Sequence, residues 1–317
     1  MSTGFGYNSW IGFAQESTFG TAVASAKYLE LLDESLKLEN PINERPTLRQ
    51  LMRFNQVPGK RGVAGAFKIQ VPLTGAERLF NLGLMATGAT SGTNPYTHLW
   101  AAAPSSFSNS FSLHVNRDAA AITGSSSFVY SGCQCSKMTL VQEAEDFLTA
   151  EFEVVGKDEA LEAVETPTFP TFSGFHWAAS GTGFSCTINS VATSIKRWEL
   201  TIENGLADDR YNLGSRTRVG IGRNGMRKIS GSIDMEFSSL TEYNLFVAQT
   251  GVPIGFDYNI GASNRLQISL ANCYLRGSTP NVSDAGPIPL KVDFDAYSAN
   301  GTNPELSITL INATATY

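Results

Sequence analysis

Few residues in this sequence have types and spacing that could support chemistry. Residues 220–225 fit the dinucleotide-binding pattern G-x-G-x-x-G, but that pattern requires a strand before it and a helix after it. The alternation over residues 229–237 instead predicts a strand directly after the glycines. We therefore interpret the run as a flexible loop and predict no bound nucleotide.

Metal ligands and catalytic groups also lack the spacing that their chemistry requires. Asp293 and Asp295 alternate on one predicted strand face, which would suit a metal or an acid pair but is typical of a solvated sheet face. No histidine or cysteine falls in a zinc or nucleophile signature. These residues are His98, His114, His176, Cys133, Cys135, Cys186 and Cys273. We predict reduced cysteines, no cofactor, no metal and no enzymatic activity.

Composition excludes several broad classes. The chain has 317 residues, of which 42% are hydrophobic, so it can bury a core and is not a disordered tail. Only 16% are charged, against about 25% in an average soluble domain, which suggests a surface that largely faces other protein. The net charge of -6 argues against general phosphate binding. No uncharged apolar run is long enough for a membrane span, and residues 1–20 do not resemble a signal peptide.

Short segments of alternating polar and apolar residues predict a mainly β protein. The clearest segments are residues 36–39, 67–71, 148–154, 198–203, 233–237, 290–295 and 306–310. Helical spacing of apolar residues predicts only two short helices, over residues 75–86 and 240–249.

The elements occur twice along the chain. Residues 36–40 match residues 200–204 at an offset of 164, and residues 65–71 match 231–237 at an offset of 166. Leu79 falls on Leu245 at the second offset. A repeat of this kind predicts two copies of one fold. We place the first copy at 1–155, a Pro-containing acidic linker at 156–174, and the second copy at 175–317.

Charge is sorted between loops and strands. Two long loops, residues 41–62 and 205–229, carry eleven of the 23 basic residues. They are Arg45, Arg49, Arg53, Lys60, Arg61, Arg210, Arg216, Arg218, Arg223, Arg227 and Lys228. The polar faces of the predicted strands are mainly acidic. They carry Lys37, Glu39, Lys68, Glu151, Glu153, Glu199, Glu203, Asp234, Glu236, Asp293 and Asp295.

At this level of detail the sequence resembles the tail tube proteins of long-tailed bacteriophages that contain a duplicated tube fold. The resemblance spans nearly the whole chain and rests on the order of several segments together with the duplication. These segments are residues 10–22, the triplet Tyr96-Thr97-His98, residues 130–133 leading into 137–141, and residues 306–312.

The resemblance implies two tandem copies of a β-sandwich or barrel fold of the tail tube type, each with one short α-helix. It implies that the inner strands join a ring-wide β-barrel and that rings stack into a tube for double-stranded DNA. The expected partners are further copies of the chain and the tape-measure, tail terminator and tail-tip proteins, without a membrane. The expected location is the virion, after synthesis in the host cytoplasm, and a non-contractile tail is favoured.

Strand geometry favours three subunits in a ring. Four inner strands per copy give 24 strands in a trimer, which at about 4.8 Å spacing and about 40° tilt form a barrel roughly 48 Å across. Side chains reduce the bore to roughly 38 Å, wide enough for a duplex whose groove depths sum to about 16 Å. A hexamer would leave a bore near 90 Å, so we predict a trimer with pseudo-sixfold symmetry and keep the hexamer as the alternative.

Charge predicts two surfaces of the subunit, and exposed apolar residues predict a third. The acidic strand faces are expected to line the lumen, because phosphate-binding cations would hinder DNA passage. The basic loops are expected at ring edges, where rings stack head to tail. Trp10, Ile11, Phe13 and Phe19 precede the first predicted strand without a helix to cover them, so we expect this arm to contact a neighbouring subunit.

Two alternatives remain open at the level of sequence. The arginine-rich loops, with Phe54 and Tyr211 nearby, would suit a nucleic-acid-binding module. The negative net charge and the matching loop positions in both copies argue against it. A β-sandwich surface or adhesin domain would also explain the strand content and the Gly-, Ser- and Thr-rich loops.

Overall fold

The fold is mainly β, as the alternation predicts, in a computed structural model. The structure describes residues 5–25, 27–44, 56–101, 110–118, 127–162, 165–167, 169, 177–181, 183–277, 280, 282 and 285–315. Within these residues the helices are α1 Ala76–Leu84 and α2 Thr241–Ala248, with 3-10 turns at Gly6–Asn8 and Ala179–Gly181. Both predicted helices are therefore confirmed.

The strands alternate in burial along most of their length. Up to the middle of the chain they are β1 Trp10–Gln15, β2 Lys27–Glu30, β3 Asp33–Glu34, β4 Lys37–Glu39, β5 Ile42–Glu44, β6 Gln56–Pro58, β7 Gly62–Gln70, β8 Ala89–Ser91, β9 Tyr96–Ala101, β10 Phe111–Asn116, β11 Ser127–Glu143, β12 Thr149–Gly156 and β13 Asp158–Glu162. They continue with β14 Ser185–Ile188, β15 Val191–Thr193, β16 Arg197–Glu203, β17 Leu206–Ala207, β18 Gly222–Arg223, β19 Lys228–Glu236, β20 Val252–Asn259, β21 Arg265–Gly277, β22 Pro289–Ala296 and β23 Leu306–Asn312.

One continuous antiparallel sheet of eight strands passes through the whole molecule, and we call it the inner sheet. Its order is β4, β7, β12, β11, β16, β19, β22, β21. The first four strands come from the first half of the chain and the last four from the second half. The two halves meet where β11 pairs with β16, from Lys137 opposite Glu203 to Glu143 opposite Arg197.

Two outer sheets pack over the inner sheet. The first has the order β2, β1, β10, β11, β13. The second has the order β15, β14, β20, β21, β23, β9, β8. The long strands β11 and β21 each belong to an outer sheet in their first half and to the inner sheet in their second half. Strands that switch sheets in this way make the corners of a sandwich, and the apolar core lies between the layers.

The strand registers repeat with the offsets found in the sequence. Leu38 of β4 lies opposite Val63 of β7, and Ile202 of β16 lies opposite Ile229 of β19. The offsets between the corresponding partners are 164 and 166. The two halves therefore share pairing as well as pattern.

A glycine occupies the same place in both halves. Gly65 and Gly231 correspond at the offset of 166, and a Cβ at either one would lie within 2.4 Å of a backbone carbonyl oxygen, of Ser35 and Glu199 respectively. Ser35 and Glu199 also correspond, at the offset of 164. Any larger residue would push the paired strands apart at this crossing.

The sequence pattern alone did not reveal the rest of the repeat. β12 and β22 correspond at an offset of 140, because Phe152 faces Phe67 while Val292 faces Ile233. The change from 166 to 140 reflects the β8–β9 hairpin, which stands between α1 and β10 and has no counterpart between α2 and β20.

The two helices differ in burial. Every residue of α1 except Arg78 is buried, and Phe80 packs against Trp100 of the β8–β9 hairpin with ring centroids 5.4 Å apart. Asn312 of β23 donates to Glu77 Oε1 at 2.6 Å, which ties α1 to the second half. No residue of α2 is buried. The hairpin and the second half thus cover one helix and leave the other exposed.

The structure corrects the expected N-terminal arm. Trp10, Ile11 and Phe13 form β1 itself, pair with β10 on one side and β2 on the other, and are at most 4% exposed. Their apolar side chains are covered by the core of the same chain, so they are not available to a neighbouring subunit. Phe19 lies beyond β1, half-buried, with Lys157 Nζ 5.8 Å from its ring centroid.

The segment predicted as a linker begins within regular structure. Gly156 is the last residue of β12, and Asp158–Glu162 forms β13, which pairs with β11. The acidic residues of this stretch therefore include strand residues of the first outer sheet. The division into copies at 1–155 and 175–317 stays a prediction.

Candidate assembly surface

The polar face of the inner sheet carries all the residues that the sequence predicts to face the lumen. Glu151 lies opposite Lys68, and Glu203 lies opposite Lys228. Directly opposite residues share a face of the sheet. The registers therefore place all of the predicted residues on the same side: Lys37, Glu39, Lys68, Glu151, Glu153, Glu199, Glu203, Asp234, Glu236, Asp293 and Asp295. Whether this face lines a lumen is not decided by one subunit and stays a proposal.

The same registers add charged residues that the sequence reasoning missed. They are Asp33, Lys137, Glu143, Arg197, Lys228 and Arg276. Lys291 shares the face with them, as the alternation over residues 290–295 predicts. Together the face has seven basic and eleven acidic side chains among the described residues. Alternation over residues 137–143 could have revealed Lys137 and Glu143, whereas Arg276 needed the pairing of β21 with β22.

Acidic neighbours neutralise most of the basic groups on this face. Lys137 Nζ lies 2.8 Å from Glu153 Oε1, and this hydrogen bond raises the pKa of Lys137. Arg197 Nη2 lies 2.6 Å from Glu199 Oε2, which raises the pKa of Arg197. Arg276 pairs with Asp295. The unmatched charge that remains is negative.

The two basic loops contact each other within one chain, and we call residues 56–62 and 205–227 the loop cluster. Arg61 donates its backbone N–H to Arg216 O at 2.6 Å, and Lys60 Nζ lies 4.7 Å from the ring centroid of Tyr211. Arg61 Nε also forms an ion pair with Asp158 at 2.6 Å. The charge of Lys60 therefore helps to hold the two halves of the chain together, whereas the charge of Arg61 is used within the first half.

The structure corrects the prediction that Arg218 and Arg227 contact a neighbouring ring, because both are buried within the chain. Arg218 Nη1 donates to Gly156 O at 2.5 Å, and its Nε donates to Asp208 O at 2.6 Å. Burial lowers the pKa of Arg227, and Glu305 lies 3.9 Å away as its ion partner.

The remaining members of the basic set fall into three groups. Lys228 opens β19 and lies on the polar face of the inner sheet instead of in a loop. Lys60, Arg210 and Arg216 are exposed on the loop cluster, with Arg61 and Arg223 half-buried there. Arg45, Arg49 and Arg53 lie outside the described residues.

The residues with catalytic potential are used structurally where the structure describes them. His98 is buried and bonds Thr90 Oγ1 and Thr314 O through its two ring nitrogens, at 2.9 Å each. Burial raises the pKa of Cys186 and of Cys273 to about 12, so both thiols are protonated and unreactive near neutral pH. Among the described residues no group of His, Cys, Asp and Glu is arranged to hold a metal ion. His176 lies outside them.

The glycine pattern at residues 220–225 is followed by a strand. Gly222–Arg223 forms β18, which pairs with β17, and β19 begins at Lys228. No helix N-terminus follows the glycines to receive a pyrophosphate. With nine and eight residues, α1 and α2 are far too short to cross a bilayer, and no other helix in the described ranges qualifies.

Comparison with known families agrees with this geometry. The sequence profile described as phage tail tube protein matches residues 6–296. The chain belongs to the phage tail tube protein family. None of the curated proteins searched matches it.

Membership makes this tail tube protein a structural component of the virion tail and places it in a family of structural proteins, not enzymes. The family assembles as a tube with other tail proteins. The family match covers both halves of the inner sheet and the loop cluster, so these features belong to the tail tube protein proper and not to an added domain.

Proposed function

We propose that this tail tube protein polymerises into closed rings, that the rings stack into the tail tube, and that the tube conducts double-stranded DNA during ejection. The inner sheet forms the wall of the bore, with its polar face toward the DNA. The ring is a trimer with pseudo-sixfold symmetry.

The observation that carries this proposal is the eight-stranded inner sheet, which crosses the subunit and ends in two edges. Eight strands per subunit are the number that the trimer requires, and β4 and β21 stand at opposite ends of the sheet. Joining these edges between copies would give a barrel of 24 strands and a bore of roughly 38 Å. A closed barrel also removes the unpaired backbone groups of sheet edges.

The charge of the inner sheet supports DNA passage. Cations that bind phosphates would add salt-dependent affinity and slow translocation. The excess of acidic side chains on the polar face gives the duplex little to bind. The gap between duplex and wall would be about one Debye length, or about 8 Å at physiological salt, so repulsion would be weak and would not stop the DNA.

The other partners follow from the tail architecture. The exposed cations of the loop cluster, Lys60, Arg210 and Arg216, would meet acidic groups of the next ring. The tape-measure protein would occupy the bore during assembly, and the terminator and tail-tip proteins would cap the two ends. The chain would be made in the host cytoplasm and function in the virion, in a non-contractile tail, with no membrane contact.

Electron microscopy of the purified full-length protein tests this proposal. We expect rings or tubes whose cross-section has threefold order and a pore near 38 Å. A sixfold arrangement of whole subunits with a bore near 90 Å would overturn the trimer. Monodisperse monomers at all concentrations and salts, or particles that form only with DNA, would overturn polymerisation into a tube.

A further inference from the structure

The contact that joins the two halves of the inner sheet has a defined chemistry. The second half of β11 pairs with β16, with Lys137 opposite Glu203 and Leu140 opposite Leu200. Lys137 and Glu203 share the polar face, and the charge of Glu203 adds to the raised pKa of Lys137, after the larger contributions of Glu153 and Glu151. This junction is a strand pairing with opposite charges across it.

Asn204 completes the junction directly after β16. It is fully buried, and its Nδ2 donates to Gly83 O at 2.8 Å and to Cys135 O at 2.9 Å. Its backbone N–H donates to Ser136 O at 2.8 Å. One side chain therefore links the last turn of α1 to the corner of β11.

Both partners of this junction have a counterpart with a vacant edge. β21 corresponds to β11, since Cys273 faces Val252 as Cys133 faces Phe111, with a register shift at the same point. β4 corresponds to β16 at the offset of 164. Within the described residues, the last four residues of β21 pair only with β22, and β4 pairs only with β7. Each strand thus lacks the neighbour that its counterpart has.

The side chains at the vacant edges repeat those of the junction. Glu39-Asn40 follows the pattern of Glu203-Asn204. Arg276 takes the place of Lys137, because it faces Asp293 of β22 as Lys137 faces Glu153 of β12. Arg276 is two-thirds exposed, at 66%, and Asn40 is exposed where Asn204 is buried.

Asn40 is already oriented for such a contact. Arg216 Nη2 donates to Asn40 Oδ1 at 2.6 Å, which engages the amide oxygen and leaves the Nδ2 donor for another acceptor. Among the described residues Nδ2 has no acceptor. The corresponding acceptors in a second copy are the carbonyl oxygens of Val247, two residues before the C-cap of α2 as Gly83 is before the C-cap of α1, and of Leu275 in β21.

We propose that the subunit contact copies the junction inside the chain: β4 of one copy pairs with β21 of the next, with Glu39 opposite Arg276 and Asn40 against the end of α2. The proposal rests on the proposed ring and names the residues that close it. A slip of one residue would turn Glu39 toward the core face, so the alternation of β4 sets the register. Each copy presents both edges, so the contact is head to tail, and it forms a ring when the rotation from one copy to the next closes.

Disulfide trapping tests the register. The double variant R276C/E39C places two thiols directly opposite each other across the proposed contact, within the Cα separation that a disulfide requires. All four native cysteines are buried. The protein is assembled under reducing conditions, oxidised, and separated on a denaturing gel without reductant. We expect covalent multimers that end at the ring size.

Two matched variants control the experiment. K137C/E203C has the same geometry inside one chain and is expected to form a disulfide without producing multimers. R276C/K37C offsets the thiols by two residues, at about 7–8 Å, beyond disulfide reach. Multimers from R276C/K37C and none from R276C/E39C would overturn the proposed register.

A charge exchange covers the case in which R276C/E39C does not assemble. E39K and R276E are each expected to reduce tube yield at least tenfold, and the double variant E39K/R276E to recover it at least partly. The contact would be overturned, and the tube left intact, if the wild type forms tubes, both single variants form them with normal yield, and R276C/E39C forms no cross-link. An absence of rings and tubes in the wild type would instead overturn the proposed function.

Discussion

Glu16 is the residue whose environment gives the sharpest prediction about folding. Its carboxylate is 5% exposed and accepts hydrogen bonds from Ser110 Oγ at 2.6 Å and Ser112 Oγ at 2.9 Å. It also accepts from the backbone N–H groups of Gly20 and Gly132, at 2.8 Å each. This group fixes the turn after β1 to the centre of the first outer sheet.

We expect E16A to lower the free energy of unfolding by about 3 kcal/mol, because several buried donors lose a charged acceptor. Urea denaturation of the unassembled chain measures this change in the free energy of unfolding. The exposed Glu30 supplies the control, and E30A should change stability by less than about 0.5 kcal/mol. Equal effects of the two variants would contradict this role for Glu16.

Glu165 gives a prediction about pH. Burial opposes its ionisation, but hydrogen bonds from Ser25, the charge of His114 and the Tyr28 hydroxyl outweigh burial and hold the pKa of Glu165 below its usual 4.5. A carboxyl with a lowered folded-state pKa stabilises the fold above its unfolded pKa, and this contribution is lost as pH falls through the folded value.

We therefore expect the melting temperature of the wild type to exceed that of E165Q at pH 7 and the difference to shrink below about pH 4.5. Thermal unfolding between pH 7 and pH 3 measures the difference. A gap that widens toward acid pH would show that ionised Glu165 does not stabilise the fold.

At the scale of elements, Asn204 and Asn40 form a matched pair. N204A removes the side-chain donor from two buried carbonyl oxygens, so we expect the isolated chain to lose about 2 kcal/mol of stability. N40A removes an exposed side chain and should leave the stability of the isolated chain within about 0.5 kcal/mol. Denaturation below the concentration at which tubes form compares them. Equal losses would contradict the difference in burial.

The N-terminal segment gives a second prediction at this scale. Deletion of residues 1–20 removes β1, which pairs on both sides and buries Trp10, Ile11 and Phe13. We expect the truncated chain to lose its cooperative thermal transition and to aggregate. Circular dichroism and size-exclusion chromatography measure this. A soluble, cooperatively folding truncation would contradict the role of β1 as a core strand.

At the scale of the whole molecule, the charge of the inner sheet predicts how an assembled tube meets DNA. The triple variant E151K/E199K/D293K turns the net charge of the polar face positive without touching the apolar face. We expect tubes of this variant to bind duplex DNA with an affinity that falls steeply with salt, by a slope of about 0.9 per phosphate contacted. Co-sedimentation from 50 to 200 mM salt measures it.

The matched control reverses three exposed acidic residues away from this face. E30K, E145K and E162K change the net charge by the same amount, and tubes carrying them should bind DNA no better than the wild type. Equal binding by both triple variants would show that total charge, and not the polar face of the inner sheet, governs contact with DNA.

Alternation and repeat offsets are local properties, and they predicted the β class, both helices and the correspondence of β4 with β16 and of β7 with β19. Alternation also predicted which charged residues lie on one face of the sheet, since side chains two residues apart on a strand share a face. The offset of 140 between β12 and β22 escaped it, because the β8–β9 hairpin shifts the numbering without leaving a pattern of its own.

The partners of these residues became known from the three-dimensional structure. An apolar segment before a predicted strand has the same sequence pattern whether it is an interface arm or a core strand. The pairing of β1 with β10 and β2 shows that Trp10 and Phe13 belong to a core strand. An arginine in a loop reads as exposed, yet Arg218 is buried against backbone carbonyls of the first half. Burial and pairing depend on contacts between residues far apart in the chain, and local sequence carries no record of them.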